Sequence, residues 1–174
     1  MPTTNHIPTV LENNIRWHIE QIAVQVGHAD RVKGRAKSGY YKVAILLAAA
    51  VVEALAHIIL VRELNKGVAL PKGPWECYES HSLPQSYQSG TQLLAICKRR
   101  QSIFKLTKKT DFAIVNKISY DLNIFSNAFF KRLEWIRATR NNIHLQGLDR
   151  IDRSYTKRQL DSVGYAIDKL IDKI

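Results

Sequence analysis

The segment VAILLAAAVVEALAHIIL, residues 43–60, decides the fold of this chain. It has about the length of a membrane-spanning helix. Glu53 and His57 interrupt it, however, and a charge inside a lipid-facing helix is costly. The segment is apolar nearly all round and rich in alanine, as is typical of a helix buried on most sides. We therefore predict that residues from about Gly39 to Asn65 form the central helix of a soluble bundle that makes no membrane contact.

Helical periodicity continues before and after this segment. A first helix is predicted from Thr9 to about Gly27, and the basic stretch 28–37 then forms a solvated or phosphate-contacting connection. Residues 66–90 are broken by glycines and prolines and predict a long loop. The remaining helices are predicted to begin at Thr91, after Asp111, after Ser126 and after Thr156, which forms a capping box with Gln159. The sequence thus predicts an all-α fold, a single bundle of about five main helices that forms one domain over residues 1–174.

The charge of the chain favours a polyanionic partner. Its 174 residues contain 26 lysines and arginines against 15 aspartates and glutamates, a formal net charge of +11. Binding of a polyphosphate by such a surface releases the counterions of the phosphates. Nucleic acid is the first candidate partner and an anionic membrane surface the second, although a merely solvated basic face is the alternative. The basic residues best placed to follow a phosphate backbone are Lys98, Arg99, Arg100, Lys105, Lys108 and Lys109.

Cysteine usage and the N-terminal sequence favour the cytoplasm. Cys77 and Cys97 are the only cysteines and form no C-x-x-C motif, so neither a disulfide framework nor a zinc site is predicted. The first residues lack the basic-then-apolar pattern of a signal peptide. The chain also contains no HExxH, P-loop or GxGxxG motif, so we expect neither a metal nor a cofactor.

The segment SNAFFKRLEWIRATRNNIHL, residues 126–145, concentrates the candidate catalytic residues. On a helical wheel Arg137 and His144 lie two turns apart along the edge of the apolar face, with Asn141 beside them. Arg140 falls inside the apolar sector, where an unpaired charge is costly. Glu53 has the same problem in the apolar second helix. We predict that Glu53 pairs with Arg140, with Arg137 as a possible second partner.

The motif RATRNNIH, residues 137–144, resembles the signature of HEPN domains, which are helical bundles. In that family an arginine, commonly followed by a polar residue, precedes a histidine by four to six intervening residues. Six residues separate Arg137 from His144, whereas Arg140, which has the polar neighbour Asn141, is separated from it by three. Which arginine fills the family's role therefore stays open. The chain continues His-Leu-Gln and does not resemble the HEPN toxins that continue His-x-Tyr.

The resemblance implies a metal-independent endoribonuclease that cuts RNA through its 2′-hydroxyl. The catalytic residues would be Arg137, Arg140, Asn141 and His144, with Glu53 in support. Histidine titrates near neutral pH and can move protons, and arginines can hold the scissile phosphate. The resemblance also implies a homodimer, and a toxin–antitoxin or defence setting with an antitoxin as protein partner. The alternatives are a non-catalytic HEPN-like module that dimerises or binds a partner, and a basic helical protein that binds nucleic acid without cutting it.

Overall fold

The part of the chain that the structure describes contains five helices, so the predicted all-α bundle is confirmed. The computed structural model describes residues 9–68, 75–82, 93–99, 106–107, 109–145 and 154–174; for 75–82, 93–99 and 144–145 it describes the backbone. A two-stranded antiparallel hairpin is inserted between the second and third helices. The elements in chain order are α1 (Thr9–Asp30), α2 (Gly34–Asn65), β1 (Trp75–Ser82), β2 (Leu93–Arg99), α3 (Phe112–Asp121), α4 (Asn127–Leu145) and α5 (Lys157–Ile171).

Helix α2 lies at the centre of the bundle, as its all-round apolar sequence predicts. It packs against α1, α3, α4 and α5. By length and composition alone α2 could cross a membrane, yet 56% of its apolar stretch is buried inside the bundle. Several of its buried side chains are alanines, which let the surrounding helices approach its backbone closely. The buried residues of α2 are Tyr41, Ala44, Ile45, Ala48, Ala49, Val51, Val52, Leu55, Ala56, Ile59 and Leu60.

Helix α5 runs parallel to α2 and is fastened to it near both ends. The backbone N–H of Tyr155, just before α5, donates to Ser38 Oγ over 2.7 Å. Near the other end Arg62 Nη1 donates to the backbone carbonyl of Ile174. The predicted capping box of Thr156 and Gln159 starts α5. Its apolar face is buried through Leu160, Val163, Ala166, Ile167 and Leu170.

The boundary between α1 and α2 differs from the prediction. Helix α1 continues through Gly27 to Asp30, and α2 already begins at Gly34, so only residues 31–33 connect them. Ala29 is fully buried, and its packing favours continuation of α1 past the glycine. Gly34 has a φ of +61°, a left-handed conformation that glycine adopts readily. Of the four lysines and arginines predicted to form this connection, Arg31 and Lys33 lie in it, whereas Arg35 and Lys37 lie in the first turn of α2.

The segment between α2 and α3 forms two strands and differs from two predictions. The helix predicted to begin at Thr91 is wrong, because residues Leu93–Arg99 form strand β2. Strand β1, Trp75–Ser82, lies within residues 66–90, where we predicted a loop. The backbone register places Trp75 opposite Arg99 and Ser82 opposite Leu93, with a shift between Cys77 and Glu79. A short apolar run such as LLAIC fits a helix or a strand equally well, and pairing with a distant segment decides between them.

Candidate active site on helix α4

The core face of α4 fixes this helix on the bundle. Leu133, Ile136 and Ile143 are buried, in agreement with the predicted core side. Ser126 precedes the helix, and its Oγ accepts a hydrogen bond from the N–H of Phe129 over 3.3 Å. Such a bond satisfies one of the free donors of the first turn. The packing and the cap together set which residues of α4 lie at the edge of the core.

The predicted ion pair between Glu53 and Arg140 is present. Arg140 Nη1 donates to Glu53 Oε2. The side chains are 35% and 33% exposed, so the pair lies at the rim of the core, neither sealed inside it nor fully in solvent. Each charge offsets the cost of partly burying the other. The pair thereby joins the middle of α2 to the last turns of α4.

The carboxylate partner of Arg137 is not Glu53, which the sequence analysis considered, but Glu134. Its Nε and Nη2 donate to Glu134 Oε2 over 3.0 and 2.9 Å. Glu134 lies three residues earlier on the same helix, where an arginine reaches a glutamate readily. Glu53 is therefore not shared between the two arginines, and the prediction that Arg137 is its second partner is wrong.

A buried asparagine on α3 completes the contacts of Glu134. Asn116 is fully buried, and its Nδ2 donates to Glu134 Oε1 over 2.7 Å and to the carbonyl of Phe130 over 3.3 Å. Both oxygens of Glu134 thus have partners, and this fixes the carboxylate that orients Arg137. We call Asn116, Glu134 and Arg137 the Asn116 chain.

Sequence reasoning missed Asn116 and Glu134. Asn116 occupies a position on the buried face of α3 between Val115 and Ser119, where an apolar residue is usual. A polar side chain at a core position of an amphipathic helix must find a partner, so this position was a usable signal. Glu134 carries no such signal, because it lies at the flank of the apolar face of α4.

The remaining motif residues occupy the same edge of α4. Asn141 is exposed, and the helix continues through His144 to Leu145. Positions 137, 141 and 144 are spaced by four and three residues, so they share one edge of the helix. The side chain of His144 lies outside the described residues. The catalytic roles of Arg137, Arg140, Asn141 and His144 stay predictions.

Most of the predicted phosphate-following residues lie where the structure describes no side chains. Lys109 is exposed. Lys98 and Arg99 lie in strand β2, for which the structure describes the backbone. Arg100, Lys105 and Lys108 lie outside the described residues. That this basic stretch contacts phosphates therefore stays a prediction.

His57 of α2 and His18 of α1 each lie next to a backbone carbonyl oxygen. His57 Nε2 lies 3.0 Å from the carbonyl oxygen of Thr107, and His18 Nδ1 lies 2.7 Å from that of Asn14. Within the described part of the chain, no group of three or more histidine, cysteine, aspartate or glutamate side chains is arranged to hold a metal ion.

Comparisons with family models, with curated proteins and with solved structures find no match to this chain. The resemblance of residues 137–144 to the HEPN signature therefore depends on those residues and on the helical bundle that carries them.

The Glu53–Arg140 pair makes a testable contribution to stability. We expect Glu53→Gln to lower the free energy of unfolding by about 1–2 kcal/mol, less than for a fully buried pair because both side chains are one-third exposed. For a chain of this size that corresponds to a melting temperature about 2–8 °C lower. The measurement is thermal unfolding of Glu53→Gln, Arg140→Met and the double variant.

The exposed pair of Glu12 and Arg16 provides the control, since its side chains are 47% and 70% exposed. Glu12→Gln, Arg16→Met and their double variant should show a coupling energy below about 0.5 kcal/mol. A coupling between Glu53 and Arg140 no larger than this would contradict the assigned contribution.

Proposed function

We propose that this protein is a metal-independent endoribonuclease of HEPN type that acts in the cytoplasm. The observation that carries the proposal is the edge of α4, where Arg137, Asn141 and the position of His144 follow one another beside the Glu53–Arg140 pair. A proton carrier next to oriented cations is the arrangement that phosphodiester cleavage needs in the absence of a metal.

The contacts of Arg137 support a role in phosphate binding. Glu134 holds its guanidinium through Nε and Nη2, while the side chain stays 33% exposed. In the described part of the chain Nη1 has no hydrogen-bond partner, so it is available to a phosphate oxygen. Because Asn116 holds Glu134 in turn, the guanidinium is oriented before the substrate arrives.

The chemistry follows from these groups. The 2′-oxygen of a ribose attacks the adjacent phosphorus, and the bond from phosphorus to the 5′-oxygen breaks. The products are a 2′,3′-cyclic phosphate and a 5′-hydroxyl, and one proton passes from the 2′-hydroxyl to the leaving oxygen. His144 moves this proton, and the arginines stabilise the negative charge that develops on the phosphate.

A homodimer in which α4 of each copy lines the same RNA strand would double the cations at the site. Trp135 on α4 is 39% exposed, which is more than a large aromatic residue usually is, and provides apolar area for such a contact. Phe130, on the same helix, instead stacks on Tyr120 with ring centroids 4.8 Å apart. The setting we propose is a toxin–antitoxin or defence system.

One observation favours a second candidate, a non-catalytic HEPN-like module that dimerises or binds a partner. Both arginines already have a carboxylate partner, Glu134 for Arg137 and Glu53 for Arg140. Such pairs are also what a purely structural polar network at the rim of a core contains. Cleavage activity decides between the two candidates.

The deciding experiment uses end-labelled single-stranded RNA and the purified protein in excess EDTA. We expect cleavage of the RNA, no cleavage of DNA with the same sequence, and protection of any position that carries a 2′-deoxyribose. The 5′ fragments should end in a 2′,3′-cyclic phosphate. Cleavage of DNA, or of RNA only when a metal is added, would contradict the proposal. Dimerisation without cleavage would favour the non-catalytic module.

A further inference from the structure

A basic groove lies apart from the α4 site, between the first turns of α2 and the start of α5. Its volume is about 860 Å³. The side chains that matter for its charge are Arg35, Lys37 and Lys42 from α2 and Lys157 from α5. Asp30, at the end of α1, is the only carboxylate among the described residues of its lining. Among those residues the cationic side chains thus outnumber the acid by four to one.

The ion pairs that Lys37 and Lys157 make within the protein are weak. Lys37 Nζ is 3.9 Å from Asp30 Oδ1, and Lys157 Nζ is 3.3 Å from Asp161 Oδ1 with both side chains more than half exposed. Exposed pairs of this kind contribute little and exchange readily with other anions. Among the described residues Arg35 has no carboxylate partner. The groove therefore retains a positive potential that an anionic ligand can neutralise.

The walls of the groove are held in place before any ligand binds. The bond from the Tyr155 N–H to Ser38 Oγ fixes the segment before α5 to α2. Lys42 Nζ lies over the Tyr155 ring, 6.0 Å from its centroid. Tyr41 and Tyr155 are nearly buried, so they shape the floor and cannot offer a ring face for stacking. The groove therefore recognises a ligand by its negative charge and not by stacking on its bases.

The groove and the α4 site lie along the same line of α2. Lys42 and Glu53 are eleven residues apart, which is close to three full turns of helix and a separation of about 16 Å. Glu53 in turn holds Arg140 of α4. The separation of the two sites along the helix is therefore within the span of a few extended nucleotides.

We infer that this groove binds backbone phosphates of single-stranded RNA a few nucleotides away from the bond that is cut. The inference rests on the proposed function only in naming RNA and the second site. An anionic bilayer fits less well, because the cations line a concave groove that a planar surface cannot enter. The expected ligand is thus a flexible chain of phosphates, bound without regard to base sequence.

The test measures binding of a fluorescein-labelled 20-nucleotide oligouridylate by fluorescence anisotropy. All proteins carry His144→Ala so that the RNA stays intact. The groove variant is Arg35→Gln with Lys157→Gln, and the matched control is Lys66→Gln with Lys131→Gln. The control removes the same charge from exposed residues outside the groove. Thermal unfolding checks that both variants are folded.

We expect the groove variant to bind about tenfold more weakly at moderate salt, and the control to bind about as the parent does. Each lost phosphate contact should also reduce the slope of log Kd against log salt by about 0.7. Equal weakening in both variants would overturn the inference, since it would show a general charge effect. It would also be overturned if the groove variant lost binding to phosphatidylserine vesicles but kept binding to RNA.

The outcome is independent of the cleavage experiment. If wild-type protein cuts RNA while the groove variant binds normally, the groove inference fails and the nuclease proposal stands. If the groove variant loses binding and wild-type protein cuts nothing, the groove inference stands and the nuclease proposal fails.

Discussion

Replacing His144 with alanine is expected to slow RNA cleavage by about two to four orders of magnitude. A positioned histidine that transfers a proton in the transition state contributes a rate enhancement of about this size. The measurement is the single-turnover cleavage rate with protein in excess over labelled RNA. RNA binding should change much less than the rate, because the arginines and the basic surface remain.

His18→Ala is the matched control for this prediction. His18 lies on α1, away from α4; its Nδ1 lies 2.7 Å from the carbonyl oxygen of Asn14, and its ring meets the ring of Trp17 edge to face. Its replacement should leave the cleavage rate unchanged. Imidazole added to the buffer should restore part of the activity of His144→Ala if the lost function is proton transfer. An alanine variant that cuts as fast as wild type would remove His144 from the mechanism.

Replacing Asn116 with aspartate is expected to lower the free energy of unfolding by about 3 kcal/mol or more, because it leaves a buried charge without compensation. The new carboxylate would lie against Glu134 Oε1, which is 2.7 Å from Asn116 Nδ2 in the present structure, at a position with no solvent exposure. The melting temperature should fall by about 6–12 °C. The loss should be smaller at acidic pH, where protonation of one carboxylate removes the repulsion.

The same substitution at Asn127 provides the control. Asn127 is exposed and begins α4, where a negative charge interacts favourably with the helix dipole. Asn127→Asp should therefore keep the wild-type melting temperature. If Asn116→Asp melted at the same temperature as Asn127→Asp, the Asn116 chain would not be the structural support of Arg137 that its distances indicate.

Patterns within single helices made most of the fold predictable. The apolar stretch around residues 43–60, interrupted by Glu53 and His57, predicted a helix buried inside a bundle, and α2 is indeed the central helix. The Glu53–Arg140 pair was predictable because each residue places a charge on an apolar face. Two opposite charges in one core offset the free-energy cost of burying each other.

Features set by contacts between distant segments were not predictable in this way. The run at residues 93–99 forms a strand because it pairs with Trp75–Ser82, and no local pattern specifies that pairing. Glu134 is an ordinary flank residue in sequence, and only the approach of Asn116 from α3 gives it a structural role. The groove likewise exists because Ser38 and Tyr155, distant in sequence, are joined.

The attachment of α5 along α2 has a consequence for synthesis on the ribosome. The apolar helix is complete at Asn65, but the helix that covers one of its sides begins only at Lys157, 92 residues later. At translation rates of about 5–20 residues per second, the nascent chain carries this uncovered segment for about 5–18 s. During that interval α2 is as apolar as a membrane anchor, so the emerging chain is expected to need chaperone protection until α5 is made.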